Sequence, residues 1–319
     1  MSKTKKWLIA AGCLVLLGCI IFAGVMTMLK WDFSKLSTSK FETNAHAITE
    51  TFQNISILSD TAQITLVPSD GKGSSVVCYE HSNETHTVTV KNGTLVIERN
   101  DTRRWYEYIG ISFGSPKITV SLPQGEYGTL SIQSGTGNVK IPNAFGFEAI
   151  AIDQSTGDVH NQASVSGKME IATSTGNIYL ENVSASSLSL SVSTGKVTAK
   201  NVDCREDMNV KASTGKAALA DVQCKNLFSD GSTGDLTLEN VIATEKFSLI
   251  RSTGDIKLLR CDAAELFIET DTGDVTGSLL TDKVFLAETE TGRVDVPRTV
   301  SGGRCEITTD TGNIKITVG

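Results

Sequence analysis

A Thr-Gly pair, usually preceded by Ser and followed by Asp or Asn, recurs along the last two thirds of the chain. Successive glycines of this pair stand 19 or 20 residues apart. A constant period near 20 residues is typical of a solenoid, in which each repeat is a small unit that stacks on its neighbours. This repeat constrains the fold more than any other feature of the sequence. Its ten glycines are Gly137, Gly157, Gly176, Gly195, Gly215, Gly234, Gly254, Gly273, Gly292 and Gly312.

Apolar residues keep fixed places around each glycine. They stand seven and five residues before it and two and four residues after it, and 37 of these 40 positions are apolar. The exceptions are Asn161, Ser229 and Gly277. A spacing of two is the periodicity of a strand with one buried face, so each repeat is predicted to be strand, turn, strand, turn. Stacked repeats predict an all-β fold, a parallel β-solenoid (β-helix) of about ten rungs over residues 124–319.

The two turns of each repeat carry characteristic residues. Glycine permits a positive φ at the first corner, and a short Asx side chain after it can bond to nearby backbone amides. At the second corner, six residues after the glycine, Asn or Asp recurs, and stacked side chains of this kind can hydrogen-bond from rung to rung. This column contains Asn143, Asn182, Asn201, Asp221 and Asn240.

Residues 48–123 lack the repeat and show short strand-like segments with longer turns, including the hairpin signal Lys91-Asn92-Gly93-Thr94. A solenoid needs its end protected against edge-to-edge association, so this segment is predicted to be an irregular β cap. At the other end the chain stops directly after the strand-like residues Ile314–Val318. That ending predicts an uncovered terminal edge.

The N-terminus predicts where the protein resides. Residues Trp7–Leu29 are 23 uncharged, mostly apolar residues, long enough as a helix to cross a ~30 Å hydrocarbon core. A cleaved signal peptide is disfavoured, because the first A-x-A site, Ala45-His46-Ala47, lies far beyond the apolar run. Lipidation of Cys19 is an alternative, since Leu16-Leu17-Gly18-Cys19 resembles a lipobox. An uncleaved membrane anchor is the favoured interpretation.

The orientation of the anchor follows from its flanking charges. Three lysines on each side give a tie under the positive-inside rule, and the compact cluster Lys3, Lys5 and Lys6 favours a cytoplasmic N-terminus. The chain is predicted to be a single-pass cell-membrane protein with an extracytoplasmic C-terminal domain. Its predicted parts are a cytoplasmic tail (1–6), a transmembrane anchor (7–29), a juxtamembrane linker (30–47), the cap (48–123) and the solenoid (124–319).

The membrane helix, the strand-rich opening that ends in Ile118–Pro123 (I-x-V-x-L-P) and the S-T-G-D-V rungs together resemble a known family. The chain is similar, over about residues 48–319, to the bacterial "putative adhesin" domain of unknown function, as in LiaG-like membrane-anchored envelope proteins. The resemblance implies an envelope-facing anchored protein. It supplies no catalytic residues.

Reaction chemistry finds little support in the sequence. The chain has four histidines, of which only His160 lies among the rungs, and no G-x-S-x-G, H-E-x-x-H or P-loop motif. The net charge of −7 argues against a nucleic-acid partner. The favoured hypothesis is a non-enzymatic scaffold without a cofactor that contacts an envelope protein or a cell-wall glycan. The alternatives are a polysaccharide-active β-helix enzyme and a solenoid that polymerises end to end.

Three groups of residues are candidates for a specific role. The acidic column Asp235, Asp255 and Asp274 is a weak calcium candidate, with ordinary turn residues as the favoured explanation. Cys204 and Cys224 occupy equivalent places in successive rungs, about 5 Å apart and within reach of a disulfide. The third group plugs the cap or contacts a partner or the membrane surface, and it contains Arg103, Arg104, Trp105, Tyr106 and Tyr108.

Overall fold

The computed structural model describes residues 3–36, 40–71, 73–105 and 114–319. One α-helix, α1 (Lys3–Met28), is followed by a 3₁₀ turn at Phe33–Leu36. The most apolar 18-residue stretch of the helix has a mean hydropathy of 2.7, and the helix is long and apolar enough to cross a membrane. It covers all but the last residue of the segment predicted as the anchor.

The remaining described residues form mostly short strands. The cap region contains β1 (Phe41–Ile48), β2 (Asn54–Ser59), β3 (Gln63–Pro68), β4 (Ser74–His81), β5 (Glu84–Lys91), β6 (Thr94–Asp101) and β7 (Lys117–Leu122). The first repeats contain β8 (Gly125–Thr136), β9 (Val139–Ile141), β10 (Phe145–Thr156), β11 (Val159–Asn161), β12 (Ser164–Val165), β13 (Lys168–Thr175), β14 (Ile178–Ala185), β15 (Ser187–Thr194), β16 (Val197–Cys204) and β17 (Asp207–Thr214). The last repeats contain β18 (Ala217–Thr233), β19 (Leu236–Thr253), β20 (Ile256–Cys261), β21 (Glu265–Thr272), β22 (Val275–Leu279), β23 (Lys283–Thr291), β24 (Val294–Asp295), β25 (Gly303–Thr311) and β26 (Ile314–Val318).

The repeats stack in parallel, as predicted. The segments that precede the corner glycines pair with one another and form what we call the first sheet, and those that follow the glycines form the second sheet. The register is constant, so that Ile152 pairs with Ile171, which pairs with Leu190. Equivalent residues therefore form columns along the solenoid, and the predicted β-solenoid of about ten turns is confirmed.

The four apolar columns expected from the sequence line the interior. Three further columns also point inward, at three residues before the corner glycine and at seven and nine residues after it. The last two hold small apolar side chains such as Val183 and Ala185, whereas the column before the glycine mixes polar and apolar ones, from Gln154 to Val192. The core therefore has a partly polar seam beside the first corner.

The first corner has the predicted backbone conformation, and the second has the predicted side-chain ladder. At the first corner φ is +144° at Gly195, where an added Cβ would lie 1.8 Å from the carbonyl oxygen of Gly176. At the second corner Asn201 has φ of +52°, and its Nδ2 donates to Oδ1 of Asn182 at 2.7 Å. The same bond joins Asn240 to Asp221 at 2.9 Å. Steric exclusion thus selects glycine at one corner, and side-chain ladders select Asx at the other.

The N-terminal cap continues the solenoid with a change of chain order. Strands β2 and β3 form a rung that lies between β8–β9 on one side and β6–β7 on the other. Antiparallel strands then cover the outer rung, since β5 pairs with β6, β4 with β7, and β1 with β4. Because β1 begins at Phe41, the last part of the segment predicted as a linker belongs to the cap instead.

The C-terminal end differs from the expectation of an edge at Ile314–Val318. Strands β25 and β26 lie between β21–β22 and β23–β24, so the last repeat in the chain is the second-last in space. The terminal rung is formed by residues 283–295, which pair on one side only within the described chain. The expectation failed because the repeat pattern assigns each segment to a rung but does not order the rungs.

Candidate functional site

The acidic column proposed for calcium forms a ladder of backbone hydrogen bonds. Oδ1 of Asp235 accepts the backbone N–H of Asp255 at 3.3 Å, and Oδ1 of Asp255 accepts that of Asp274 at 2.9 Å. Oδ1 of Asp274 accepts the N–H of Asn313 at 2.7 Å, and Asp158 accepts that of Asn177 at 2.8 Å. Each side chain thus satisfies an amide of the neighbouring rung, which explains the Asx preference without an ion.

A lysine also faces this column. The Nζ of Lys216 lies 2.7 Å from Oδ2 of Asp235. The hydrogen bond from Lys216 lowers the pKa of the Asp235 carboxyl below its usual value. Repulsion between stacked carboxylates is therefore relieved here by a side chain of the protein itself.

Cys204 and Cys224 occupy successive places in an inward column, but their thiols are not bonded to each other. Both are buried, and each sulfur instead lies near backbone carbonyls, that of Asp207 at 3.4 Å for Cys204 and that of Ile242 at 4.0 Å for Cys224. Burial raises the pKa of Cys204 to about 11 and that of Cys224 to about 12. Cys261 and Cys305 are buried as well.

The expected contact cluster separates into parts with different surroundings. Arg103 lies in an ion-pair network, with Nη1 at 2.8 Å from Glu84 and Nη2 at 2.8 Å from Asp101. Arg99 bridges the same two acids. Arg103 therefore takes part in the ion-pair network of the cap. Arg104 is exposed, Trp105 is 77% exposed, and Tyr106 and Tyr108 lie outside the described residues.

The cap interior holds a polar cluster that was not predicted from the sequence. The Nδ1 of His86 lies 2.7 Å from Oε2 of Glu80, and the His86 backbone N–H donates to the same oxygen at 2.8 Å. The other ring nitrogen, Nε2, lies 3.2 Å from Oγ of Ser59. Asn44 donates to Oε1 of Glu80 at 2.7 Å, and Cys78 completes the cluster.

Burial distinguishes this cluster from the surface candidates. Glu80 is 1% exposed, His86 7% and Cys78 fully buried. Burial, and secondarily the carboxylate of Glu80, raises the pKa of the Cys78 thiol to about 12. The signal available in the sequence was the i, i+2 spacing of Cys78 and Glu80, which places both on one face of a strand. Nothing in the sequence indicated that β5 folds over that face.

Ser59, His86 and Glu80 make contacts like those of a nucleophile, a base and an orienting acid. A hydrolase also needs a path by which a substrate carbonyl reaches the hydroxyl. Ser59 points into the polar seam of the solenoid, 5% exposed, in register with Ser134 of the next rung. The arrangement therefore favours a structural role over acyl transfer.

A second buried polar group lies in the middle of the solenoid. Arg251 occupies the polar seam at 1% exposure, and its Nη2 donates to Oγ of Ser229 at 2.9 Å. Its Nη1 donates to the carbonyl of Ile250 at 2.7 Å. Burial lowers the pKa of the guanidinium to about 10. Ser229, one of the polar exceptions among the apolar columns, is thus explained as the partner of Arg251.

The outer face of the first sheet carries shallow, open depressions rather than an enclosed cavity. One, of about 490 Å³, is lined by side chains that include Ser191, Asn209 and Asp230. A second, of about 210 Å³, includes Gln133 and Asp153. A third depression, of about 650 Å³, lies between cap and solenoid and is lined by Thr61, Gln63, Tyr79, Gly114, Ser115, Pro116, Lys117, Thr136, Gly137 and Asn138.

Fold and surface together define a capped β-solenoid with broad polar faces, a class of repeat protein that suits contact with extended partners. The family model described as Toastrack DUF4097 matches residues 52–206 and 203–319. The chain therefore belongs to the Toastrack family, whose function is unknown, as the resemblance implied. No curated protein matches the chain.

Several solved structures are similar at low identity. A "putative adhesin" from Bacteroides fragilis is 15% identical with a TM-score of 0.42, covering 87% of this chain and 97% of its own. A "putative lipid binding protein" from Parabacteroides distasonis is 15% identical at a TM-score of 0.46, with coverages of 88% and 98%. A "putative adhesin" from Parabacteroides merdae is 10% identical at 0.46, with the same coverages. At these values none carries an argument about function.

Proposed function

We propose that this protein is a non-enzymatic, adhesin-like binding scaffold of the bacterial cell envelope, anchored by α1 and presenting the solenoid outside the membrane. The observation that carries the proposal is the outer face of the first sheet, where every rung contributes at least one polar side chain, with apolar side chains such as Phe228, Ile250 and Phe267 between them. Such a face can be contacted at many points at once, whereas a small substrate needs an enclosing pocket.

The chemistry of this face suits a hydrogen-bonding polymer. Outward residues of the first sheet include Ser131, Gln133, Glu170, Ser189 and Ser191, which offer donors and acceptors on neighbouring rungs. Rungs are spaced by about 4.8 Å, so the groups repeat at short, regular intervals. A cell-wall glycan is the partner that this repetition fits first, and an extended segment of an envelope protein is the second.

Anchoring rests on α1 and on its flanks. The helix is uncharged from Trp7 to its end at Met28 and is preceded by Lys3, Lys5 and Lys6. This distribution supports a cytoplasmic N-terminus and an external cap and solenoid. Alkaline phosphatase fused after Gly319 tests it: activity in intact cells is expected, and an inactive fusion of normal abundance would reverse the assigned topology.

Binding is tested with the full-length protein in detergent micelles, sedimented with purified cell-wall glycan. Ser191→Arg adds bulk to the outer face of the first sheet and should reduce co-sedimentation. Thr237→Arg makes the matched change on the outer face of the second sheet and should leave it unchanged. Equal binding by both variants and the wild-type protein would exclude the first sheet as the binding surface. Binding only to an envelope protein would exclude the glycan as the partner.

A second candidate is self-association through the terminal rung. Leu286 is 50% exposed and Val294 43% exposed on this rung, and β23 has a free edge in the described structure. The N-terminal rung is covered by antiparallel strands, so two copies can meet through their C-terminal rungs but not head to tail in register. Sedimentation should then show a dimer that Leu286→Lys dissociates, and a filament or a strict monomer would contradict it.

A further inference from the structure

Three donor atoms of different chemistry converge inside the cap. The sulfur of Cys78, a carboxylate oxygen of Glu80 and a ring nitrogen of His86 all lie within 4.8 Å of one another. All three side chains are buried. We propose that these residues form a structural zinc site that cross-links the covering strands β4 and β5 of the cap.

The donor types match the metal, and the three side chains supply three of the four ligands of a tetrahedral zinc site. Zinc is held in proteins by thiolate sulfur, imidazole nitrogen and carboxylate oxygen, at bond lengths of about 2.0–2.3 Å. One thiolate and one carboxylate balance the two positive charges of Zn²⁺, and the imidazole is neutral. The loaded site therefore has no net charge, which is the condition under which a charged cluster is tolerated away from water.

Contacts around the three ligands already orient them for a metal. Nε2 of His86 lies 3.2 Å from Oγ of Ser59, so a proton on Nε2 can be donated to that hydroxyl while Nδ1 faces Glu80. The second oxygen of Glu80 is held by Asn44 at 2.7 Å. Partners of this kind fix the tautomer and the direction of zinc ligands.

The positions of these residues explain what the ion would do. Cys78 and Glu80 lie on β4, His86 on β5, Asn44 on β1, and Ser59 at the end of β2 in the first cap rung. Strand β4 covers the outer edge of β7, and β5 covers that of β6. An ion bound here would cross-link the covering strands β4 and β5 next to the cap rung formed by β2 and β3. It would therefore stabilise the structure that protects the N-terminal edge.

A metal-free pair of Glu80 and His86 is the competing explanation. It accounts for the short contact between these two side chains but assigns no role to the sulfur of Cys78 beside them. The two explanations differ in what the thiol does: a ligand becomes a thiolate bonded to the ion, whereas a packing residue stays a thiol.

The experiment uses the full-length protein in detergent micelles, freed of metal by a chelator and titrated with Zn²⁺ or Co²⁺. One ion per chain is expected, with a thiolate-to-cobalt charge-transfer band in the ultraviolet. Cys78→Ser should remove the band and weaken zinc binding at least about 100-fold, and Ser59→Ala should weaken it by about 10- to 100-fold. Cys305→Ser, a matched change at another buried cysteine, should keep both the band and the affinity.

Circular dichroism verifies that each variant is folded. If Cys78→Ser unfolds, the wild-type protein is alkylated with and without Zn²⁺, and mass spectrometry identifies the modified cysteines. Protection of Cys78 by Zn²⁺ then supports the proposal, and equal modification overturns it. A folded wild-type protein without the cobalt band would overturn the proposal, as would equal zinc affinity of wild type and Cys78→Ser. Loss of the band in Cys305→Ser alone would also overturn it.

Discussion

The guanidinium of Arg251 occupies the space left by the missing side chain of Gly231, its register partner in the neighbouring rung. A Cβ on Gly231 would lie 3.0 Å from Nη1 of Arg251 and 2.5 Å from the carbonyl oxygen of Ala212. The chain thus accommodates one long cation inside a narrow coil by combining a glycine with the hydroxyl of Ser229. In the described structure no carboxylate forms an ion pair with it.

Replacing this buried cation should stabilise the protein. Arg251→Met keeps a long side chain in the same space and removes the cost of desolvating a charge, so the free energy of unfolding should rise by about 1–4 kcal/mol. Denaturant unfolding of the two proteins at neutral pH measures the change. A clear loss of stability would show that the hydrogen bonds to Ser229 and Ile250 outweigh the desolvation.

Glycine at the first corner should tolerate no side chain. Gly195→Ala would place a Cβ 1.8 Å from the carbonyl oxygen of Gly176 at a φ of +144°. We expect a loss of more than about 2 kcal/mol, because both the backbone angle and the rung spacing would have to change. Gly73→Ala is the control, since nothing lies within 4 Å of a Cβ there. Similar melting temperatures for the two variants would refute this account.

Two substitutions at Asn201, in the ladder of the second corner, separate the contribution of backbone conformation to stability from that of the side-chain hydrogen bond. Asn201→Gly retains the ability to adopt the positive φ but loses the bond to Asn182, and we expect a loss near 1 kcal/mol. Asn201→Ala loses both and should be less stable than the glycine variant. Thermal unfolding of the pair is the measurement, and the reverse order would mean that the corner does not require a left-handed residue.

The Lys216–Asp235 pair should contribute to stability in a defined pH range. Because Lys216 lowers the pKa of Asp235 in the folded state, the unfolded state binds more protons below the ordinary value of 3.8. The contribution is complete above that value and is lost as pH falls through the lowered pKa. The effect is small because both groups are largely exposed. Lys216→Ala should lower the melting temperature slightly at pH 6, and the difference should shrink as pH falls below 3.8; a difference that stays constant into acid would contradict this account.

The order of the C-terminal rungs predicts an inverted pattern of hydrogen exchange. Amides of β25 lie between two strands, whereas β23, earlier in the chain, lies at the edge. Exchange measured by mass spectrometry should therefore be slower in residues 303–311 than in residues 283–291. Faster exchange of the later segment, as in a fraying chain end, would show that the rungs follow chain order.

Much of this protein could be predicted from local pattern. Spacings of two around each glycine determined which side chains face inward, because strand geometry allows no other alternation. The corner residues were likewise predictable from the sequence, since a positive φ and a tight carbonyl contact exclude most side chains. The membrane-span candidate was predictable from the length and apolar composition of Trp7–Leu29 alone.

The sequence by itself thus determined the rung: its length, its inward columns and its corners. Only the tertiary structure decided how rungs are ordered at the two ends, and which cap residues meet. The reason is that equivalent rungs offer the same hydrogen bonds to any neighbour, so local pattern does not distinguish their order. Likewise Cys78 and His86 are brought together by the packing of β5 over β4, a contact between layers that no spacing along the chain encodes.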